Sequence, residues 1–229
     1  MIKAVSFDLE GTLIDVESAH HRGHILAAND AGVKLTIEEA LRVLPHFIGG
    51  PDEAVAKEIS ELAGKLDDDY ILNRMRFHYN QLIETIPIGL RPGALEIISW
   101  LKENGFNVAI GSLTIAVQAQ LLLERSGLIK IFGRECIVLR EEVRHVKPEP
   151  DVWLETARRS GIDPKEQLVF DDSHNGIIAA VAAGSVAVAM PVYNTPLTIK
   201  RLIDAGALRI FIDWREMNIA ALIENLNKE

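Results

Sequence analysis

Two carboxylates follow a predicted strand near the start of the chain. Residues 2–7 are mostly apolar, and the run breaks into Asp8, Glu10, Gly11 and Thr12. An apolar run that ends in a turn is typical of a buried strand. In an open α/β sheet the loops beyond the strands form the ligand crevice, so both carboxylates are expected there. Taken alone, the pattern favours a solvated acidic turn.

Three later stretches place further polar groups at similar positions. A second apolar strand ends in Ser112, Lys147 precedes a helix that begins at a proline, and a third strand ends in Asp171 and Asp172. The order along the chain is therefore Asp, Ser, Lys and Asp-Asp. This order resembles the four motifs of the haloacid dehalogenase-like (HAD) superfamily of phosphotransferases, and the resemblance covers residues 8–184.

The resemblance implies a Rossmann-like, doubly wound parallel α/β core with an inserted helical cap. The residues agree with this, because helices and strands alternate from Pro92 onward, which is the pattern of a parallel sheet. The predicted core covers residues 1–15 and 88–229, and the predicted cap covers residues 16–87, with hinges near residues 14–17 and 87–91.

Apolar spacing and capping residues define the individual elements. The cap is predicted to contain four helices, at residues 16–31, 36–44, 52–63 and 68–86. Thr36 is the expected N-cap of the second, with Glu39 completing a capping box. The predicted core helices are 92–104, 114–126, 150–160, 175–183 and one at the C-terminus. The predicted strands after the first are 107–112, 136–140, 168–171, 186–190 and 209–212.

The resemblance also implies a role for each polar group. Asp8 matches the nucleophile that forms an aspartyl-phosphate, and Glu10 stands where the family places its general acid/base. Mg²⁺ is the implied cofactor, because it favours oxygen ligands. Its expected ligands are Asp8, the backbone carbonyl of Glu10, Asp172, and Asp171 directly or through water. The expected catalytic and substrate-binding residues include Ser112, Leu113, Lys147, His20 and Gly49.

Glu10 departs from the family pattern, since most relatives that cleave phosphate esters carry Asp two residues after the nucleophile. Glu can perform the same proton transfers, but its carboxyl lies one methylene further out. A misplacement of about 1 Å costs roughly 100-fold in rate, so nearby geometry must compensate. The alternative is that Glu10 makes the protein catalytically impaired, which would leave a binding module with the HAD fold.

His20 aligns with a histidine that orients the acid/base in the β-phosphoglucomutase-like group. His20 and His24 also have the i, i+4 spacing that suits a metal, although no helix-borne Glu base accompanies them. Solvated or hinge histidines are the favoured interpretation.

The cap loop at residues 47–52 lacks the basic residue with which a mutase binds its second phosphate. A phosphatase is therefore favoured over a mutase.

Composition limits the possible partners. The chain has 229 residues, 48% of them hydrophobic, and a formal net charge of −9, which gives no general attraction to nucleic acid or anionic membranes. Cys136 is the only cysteine, so no disulfide forms within one chain; it is expected to be a buried strand residue. The chain is expected to enter its first strand directly, without a signal peptide, and no apolar run approaches the roughly 20 residues of a membrane helix. A cytoplasmic monomer or homodimer is expected.

The leading hypothesis is a Mg²⁺-dependent phosphatase that hydrolyses a small phosphorylated metabolite through an aspartyl-phosphate on Asp8. A phosphosugar mutase is the main alternative and would use the same intermediate. A haloacid dehalogenase is less favoured, because such enzymes work without a metal and would not need Glu10 or Asp172.

Overall fold

The computed structural model describes residues 1–228, and these fall into two compact units. The first, here called the core unit, combines Met1–Asp15 with the chain from Ile88 onward. The second, the helical unit, is Val16–Pro87. None of the described helices is both long and apolar enough to cross a membrane.

The helical unit consists of four helices. They are α1 (Glu17–Asp30), α2 (Ile37–Val43), α3 (Asp52–Leu62) and α4 (Asp68–Thr85). The predicted capping box of α2 is present: Thr36 Oγ1 accepts a hydrogen bond from the Glu39 N–H, and Glu39 accepts one from the Thr36 N–H. The buried face of α4 has one residue per helical turn, at Ile71, Met75, Tyr79 and Ile83.

The core unit is built on a six-stranded parallel sheet. Its strands are β1 (Ala4–Phe7), β2 (Asn107–Gly111), β3 (Ile137–Val138), β4 (Gln167–Asp171), β5 (Val186–Ala189) and β6 (Arg209–Ile210). They lie in the order β3-β2-β1-β4-β5-β6, so β1 is between β2 and β4. Phe7 is opposite Ile110 of β2 and Phe170 of β4. The residues that follow these three strands therefore emerge together at one edge of the sheet.

The core helices cover both faces of this sheet, as the alternation of helices and strands requires. They are α5 (Ala94–Glu103), α6 (Ala116–Ser126), α7 (Leu128–Phe132), α8 (Asp151–Ser160), α9 (His174–Ala182), α10 (Pro196–Asp204) and α11 (Ile219–Leu226). Buried aromatic rings fill the space beside the central strands: Phe7 stacks on Phe170 with ring centroids 5.5 Å apart, and Trp214 packs against both. The predicted parallel α/β class is confirmed.

The two passages of chain that bound the helical unit run side by side where they leave the core unit. Ile14 forms an antiparallel bridge with Leu90, and the Arg91 N–H donates to the Leu13 carbonyl at 2.7 Å. These bonds join the end of the first core segment, residues 1–15, to the start of the second, which begins at residue 88.

Three details of the sequence prediction were wrong. Cys136 is not a buried strand residue: it is partly exposed and ends a short 3₁₀ helix, Arg134–Cys136, immediately before β3. Strand 136–140 is reduced to the two residues of β3, and the last strand to the two of β6. Helices α7 and α10 were not predicted, although Thr195 caps α10 and Pro196 is its first residue.

Candidate active site

Asp8 lies at the centre of the sheet edge, directly after β1. Its backbone N–H donates to the Phe170 carbonyl of β4 at 2.9 Å, which continues the strand pairing by one residue. Its side chain is buried. Asp171 closes β4 and Asp172 follows it, so three carboxylates leave two neighbouring strands at the same level.

Lys147 connects two of these carboxylates. Its Nζ donates to Asp8 Oδ1 at 2.6 Å and to Asp171 Oδ2 at 2.7 Å, and it lies 3.4 Å from the Gly111 carbonyl at the end of β2. The ammonium also stands 4.5 Å from the centre of the Trp153 ring. Lys147 comes from the loop before α8, and its side chain is almost wholly buried. The sequence-predicted residues Asp8, Lys147 and Asp171 therefore form one hydrogen-bonded group.

Asp171 is fixed from both sides. Lys147 bonds to its Oδ2, while the backbone N–H and the hydroxyl of Ser173 both donate to its Oδ1 at 2.8 Å. Gly176, in the first turn of α9, passes so close that an added Cβ would lie 1.9 Å from Asp171 Oδ2. Position 176 therefore excludes every side chain. Asp171 is completely buried, and its contacts suit a residue that holds Lys147 in place.

The charges in this group do not balance. Burial raises the pKa of Asp8; the Lys147 ammonium opposes the rise and Asp171 adds to it, and the net direction is upward. Burial lowers the pKa of Lys147, but the charges of Asp171 and Asp8 outweigh this, so the ammonium stays protonated. If Asp8 and Asp171 were both ionised, one ammonium would face two negative charges, so Asp8 is shifted toward its protonated form. A second positive charge beside Asp8 would favour its ionised form.

Glu10 is held by a residue that the sequence analysis missed. The Thr114 hydroxyl donates to Glu10 Oε1 at 2.6 Å, and its oxygen lies 2.9 Å from the Ser112 Oγ. The Thr114 N–H also donates to Ser112 Oγ at 3.2 Å. Ser112 is buried at the end of β2, and Leu113 beside it is partly exposed. A threonine two residues after Ser112 is visible in the sequence, but its contact with a residue 104 positions earlier is not.

The loop that carries Glu10 turns at Gly11, whose φ of 81° favours glycine. The Gly11 N–H donates to the Ile14 carbonyl at 2.8 Å. Arg91 fixes the loop from outside, because its guanidinium donates to the carbonyls of Gly11, Met190 and Ile212 at 2.5–2.7 Å. Burial lowers the pKa of Arg91, and Asp172 partly offsets the effect.

Comparison with known proteins agrees with this arrangement. The model of the family described as "Hydrolase: haloacid dehalogenase-like hydrolase" matches residues 2–184. The chain belongs to the HAD-like hydrolase family. The predicted family and the predicted enzyme class are therefore confirmed.

Named relatives of this HAD-like hydrolase align over most of its length. Protein CbbY of Rhodobacter capsulatus is 30% identical over 226 residues, which are 96% of this chain and 95% of the relative. Hexitol phosphatase A of Escherichia coli (strain K12) is 31% identical over 211 residues, 87% of each chain. A crystal structure of a conserved HAD-like protein of unknown function from Agrobacterium tumefaciens has a TM-score of 0.84, at 22% identity over 99% of this chain and 100% of that one. That structure supports the fold alone.

The family implies a divalent metal ion, and the residues of this HAD-like hydrolase fit one. Asp8 and Asp172 offer carboxylate oxygens at the same sheet edge, and hard dications prefer such ligands. The unbalanced negative charge around Lys147 points the same way. Both oxygens of Asp171 are already bonded to protein groups, so the choice between direct and water-mediated binding by Asp171 stays a prediction.

Two of the sequence-predicted residues lie in the helical unit. His20 is on α1, where its Nε2 is 3.0 Å from Asp52 Oδ1, and Gly49 lies in the turn before α3 with a φ of 67°. The substrate contacts expected of both, and the influence of His20 on Glu10, stay predictions. Arg74 and His78 of α4 both bond to Asp30 within the unit.

Proposed function

We propose that this HAD-like hydrolase is a Mg²⁺-dependent phosphatase that acts on small phosphorylated sugars or sugar alcohols through an aspartyl-phosphate on Asp8. The observation that carries the proposal is the pair of hydrogen bonds that the Lys147 ammonium donates, one to Asp8 and one to Asp171. It places a permanent positive charge against a buried carboxylate at the carboxyl end of the central strand. A carboxylate in this setting is a nucleophile whose orientation is fixed before substrate binds.

In the first step an oxygen of the Asp8 carboxylate attacks the phosphorus atom, and the bond from phosphorus to the ester oxygen breaks. Lys147 prevents the Asp8 carboxylate from rotating, because it holds Oδ1 at 2.6 Å. Ser112, at the end of β2, supports a phosphate oxygen with its hydroxyl. Mg²⁺ held by Asp8 and Asp172 would supply additional positive charge to the phosphate and to Asp8.

Glu10 carries the protons. It gives a proton to the departing ester oxygen, which leaves as an alcohol, and it becomes a carboxylate. The carboxylate then takes a proton from water as that water attacks the phosphorus of the aspartyl-phosphate, so Asp8 and inorganic phosphate are released. Thr114 supports this role, because its hydrogen bond to Oε1 fixes the position of a carboxyl that carries one extra methylene. The impaired-module alternative is disfavoured by the same contact.

Two observations favour a phosphatase over a mutase. Residues 47–52 contain no basic side chain that could hold a second phosphate. The two arginines of α4 are engaged within the helical unit, Arg74 with Asp30 and Arg76 with Glu53. The similarity to hexitol phosphatase A supports the substrate class, since that protein's name describes a phosphatase of sugar alcohol phosphates.

The test is a panel of phosphate esters, assayed with Mg²⁺ for release of inorganic phosphate. We expect hydrolysis of sugar and sugar alcohol monophosphates, with no requirement for a bisphosphate primer. A β-sugar phosphate that is isomerised only after priming with a bisphosphate would instead identify a mutase. Inactivity across the panel, in protein whose circular dichroism shows a folded chain, would support the binding-module alternative.

A further inference from the structure

The helical unit contains a cluster of two histidines and a carboxylate that none of the proposed steps uses. His20 and His24 are one helical turn apart on α1, and Asp52 is the first residue of α3. The Nε2 atoms of His20 and His24 lie 3.0 Å and 3.3 Å from the same oxygen, Asp52 Oδ1. One ligand atom from each of the three residues falls within 4.8 Å of the other two.

These separations are close to those of a coordination sphere. Two ligands that each bind one Zn²⁺ ion at about 2.0–2.1 Å in tetrahedral geometry are roughly 3.3 Å apart. The separations of 3.0 Å and 3.3 Å from Asp52 Oδ1 agree with this value. Both histidines project from the same face of a single helix, which favours a common direction for their ring nitrogens.

Burial divides the cluster into a closed side and an open side. The His24 side chain is 2% exposed, whereas those of His20 and Asp52 are 25% and 26% exposed. An ion can therefore enter from solvent, and water can complete its coordination, while His24 provides a fixed ligand from inside the unit.

The surrounding residues hold the rings in place. Glu17 Oε2 lies 3.7 Å from Nδ1 of His20, which is the ring nitrogen on the opposite side from Asp52. A carboxylate behind a histidine ligand orients the ring and makes it a stronger donor. The His20 ring also packs against Tyr79, and the His24 ring meets the edge of Phe47, with centroids 5.0 Å and 5.8 Å apart.

The charge states of His24 and Asp52 also suit an ion, whereas His20 must give up a proton to bind one: burial lowers the pKa of His20, but Asp52 outweighs burial and raises it well above its usual value. Burial lowers the pKa of His24 to about 4, and the charge of His20 adds to the effect, so the His24 ring is neutral near pH 7. Burial raises the pKa of Asp52, but the interaction with His20 outweighs it and keeps the carboxylate ionised. Within the described residues, Nδ1 of His24 has no hydrogen-bond partner, so its proton can move there when Nε2 binds an ion.

We propose that His20, His24 and Asp52 form a binding site for a transition-metal dication of the Zn²⁺, Co²⁺ or Ni²⁺ type. Two imidazole nitrogens and one carboxylate oxygen select such ions over Mg²⁺, which prefers oxygen ligands alone. All three ligands belong to the helical unit, whereas Asp8, Lys147 and Asp171 belong to the core unit. A bound ion connects α1 to α3 and stabilises the helical unit.

Co²⁺ is the best probe, because its visible absorption reports nitrogen coordination. We would titrate Co²⁺ into chelator-treated protein and count the bound Co²⁺ by equilibrium dialysis. Excess Mg²⁺ is present throughout, so that it competes for the carboxylates of Asp8 and Asp172 in the core unit. The expected result is one Co²⁺ per chain, with visible bands typical of histidine ligation. Added Zn²⁺ should displace the Co²⁺ and raise the thermal midpoint of the wild-type protein.

Three variants identify the ligands. His24→Gln and Asp52→Asn should each weaken Co²⁺ binding by at least ten-fold and remove the Zn²⁺-dependent rise in midpoint. Asp52→Asn is included because the Asp52 side chain is partly exposed, so we expect this variant to fold even if His24→Gln does not. His78→Gln is the matched control, because His78 bonds to Asp30 in the same unit, outside the cluster, and its variant should bind Co²⁺ normally.

Two results would overturn the proposal. The first is wild-type protein that binds no Co²⁺ in excess Mg²⁺. The second is Asp52→Asn protein that binds Co²⁺ as tightly as wild type and with the same absorption bands, because the ion would then lie elsewhere.

Discussion

The core unit and the helical unit each contain a compact charged cluster, and the two have opposite compositions. In the core unit one ammonium, Lys147, lies between the carboxylates of Asp8 and Asp171. In the helical unit one carboxylate, Asp52, lies between two imidazoles. Lys147 keeps its proton across the physiological pH range, because Asp171 and Asp8 raise its pKa. An imidazole can be charged, neutral or bound to a metal.

This difference separates two kinds of site. A permanent charge fixes the orientation of a nucleophile and cannot be exchanged for another ligand. A histidine pair beside a carboxylate can release its hydrogen bonds and take an ion from solution. The following substitutions test this contrast, and we expect them to range from loss of turnover to a small loss of stability.

The largest effect is expected from Asp8→Asn. The amide cannot attack phosphorus, so phosphatase turnover should fall by about 10⁴-fold or more, as it does when a catalytic nucleophile is removed. Circular dichroism and the unfolding midpoint should show a folded protein. Asp204→Asn is the matched control, because Asp204 is an exposed carboxylate of α10 that is paired with Lys200. Turnover in Asp8→Asn close to that of this control would disprove the mechanism.

Lys147→Met should lower both turnover and stability. Removing the ammonium leaves Asp8 and Asp171 buried together without a counter-charge, and breaking such a pair costs about 3–5 kcal/mol. Excess Mg²⁺ should raise the unfolding midpoint of this variant more than that of wild type, because the ion supplies part of the missing charge. Equal shifts in the two proteins would mean that Lys147 and the metal do not share one site.

Asp172→Ala should raise the Mg²⁺ concentration needed for half-maximal activity, because the metal loses a carboxylate ligand. The midpoint of a Mg²⁺ titration measures this directly. Asp171→Asn, which keeps the size and hydrogen-bonding shape of that side chain, should alter the Mg²⁺ midpoint less than Asp172→Ala if Asp171 acts mainly on Lys147. The opposite ranking would make Asp171 the principal ligand.

Glu10→Gln should reduce the hydrolysis of sugar phosphates more than that of p-nitrophenyl phosphate, whose leaving group needs little protonation. Thr114→Val should show the same substrate dependence at a smaller size, about ten-fold on sugar phosphates, because a hydrogen bond to a charged group is worth roughly 1.5–3 kcal/mol. Thr114→Ser keeps the hydroxyl and should recover most of the loss. Equal losses on both substrates would exclude an acid role for Glu10.

The smallest effect is expected from Thr36→Ala in the helical unit. It removes the hydroxyl that caps α2, which should lower the free energy of unfolding by about 1 kcal/mol. Turnover at a temperature where both proteins are folded should be unchanged. A loss of turnover without a loss of stability would show that α2 contributes to the chemistry.

The elements of the fold differ in how well the sequence predicted them. Parallel strands followed by polar residues predicted the sheet, and they placed Asp8, Ser112 and Asp171 at its edge, because neighbouring strands of a parallel sheet end at the same level. The capping box predicted the start of α2. The short strands β3 and β6 were overestimated, since two paired residues leave little periodicity. Helix α10 was missed even though Thr195 and Pro196 are a recognisable start signal.

Contacts between distant positions limited the prediction of the sites. The bond from Thr114 to Glu10 depends on the register of β1 with β2, which a single sequence does not fix. In the helical unit, the spacing of His20 and His24 was visible, but Asp52 lies 28 residues after His24 and could be recognised only once α1 and α3 were packed. Local patterns reveal which residues are capable of chemistry, and tertiary packing decides which of them meet.

The bridge between Ile14 and Leu90 has a consequence for protein engineering. The chain leaves the core unit and returns to it at adjacent positions, and this junction is fixed by bonds that lie wholly within the core unit, including the bond from Arg91 to Leu13. Insertions are best tolerated where their two ends lie close together. The helical unit is therefore expected to be removable: a short glycine-containing turn between residues 15 and 88 should give a minimal α/β protein that folds.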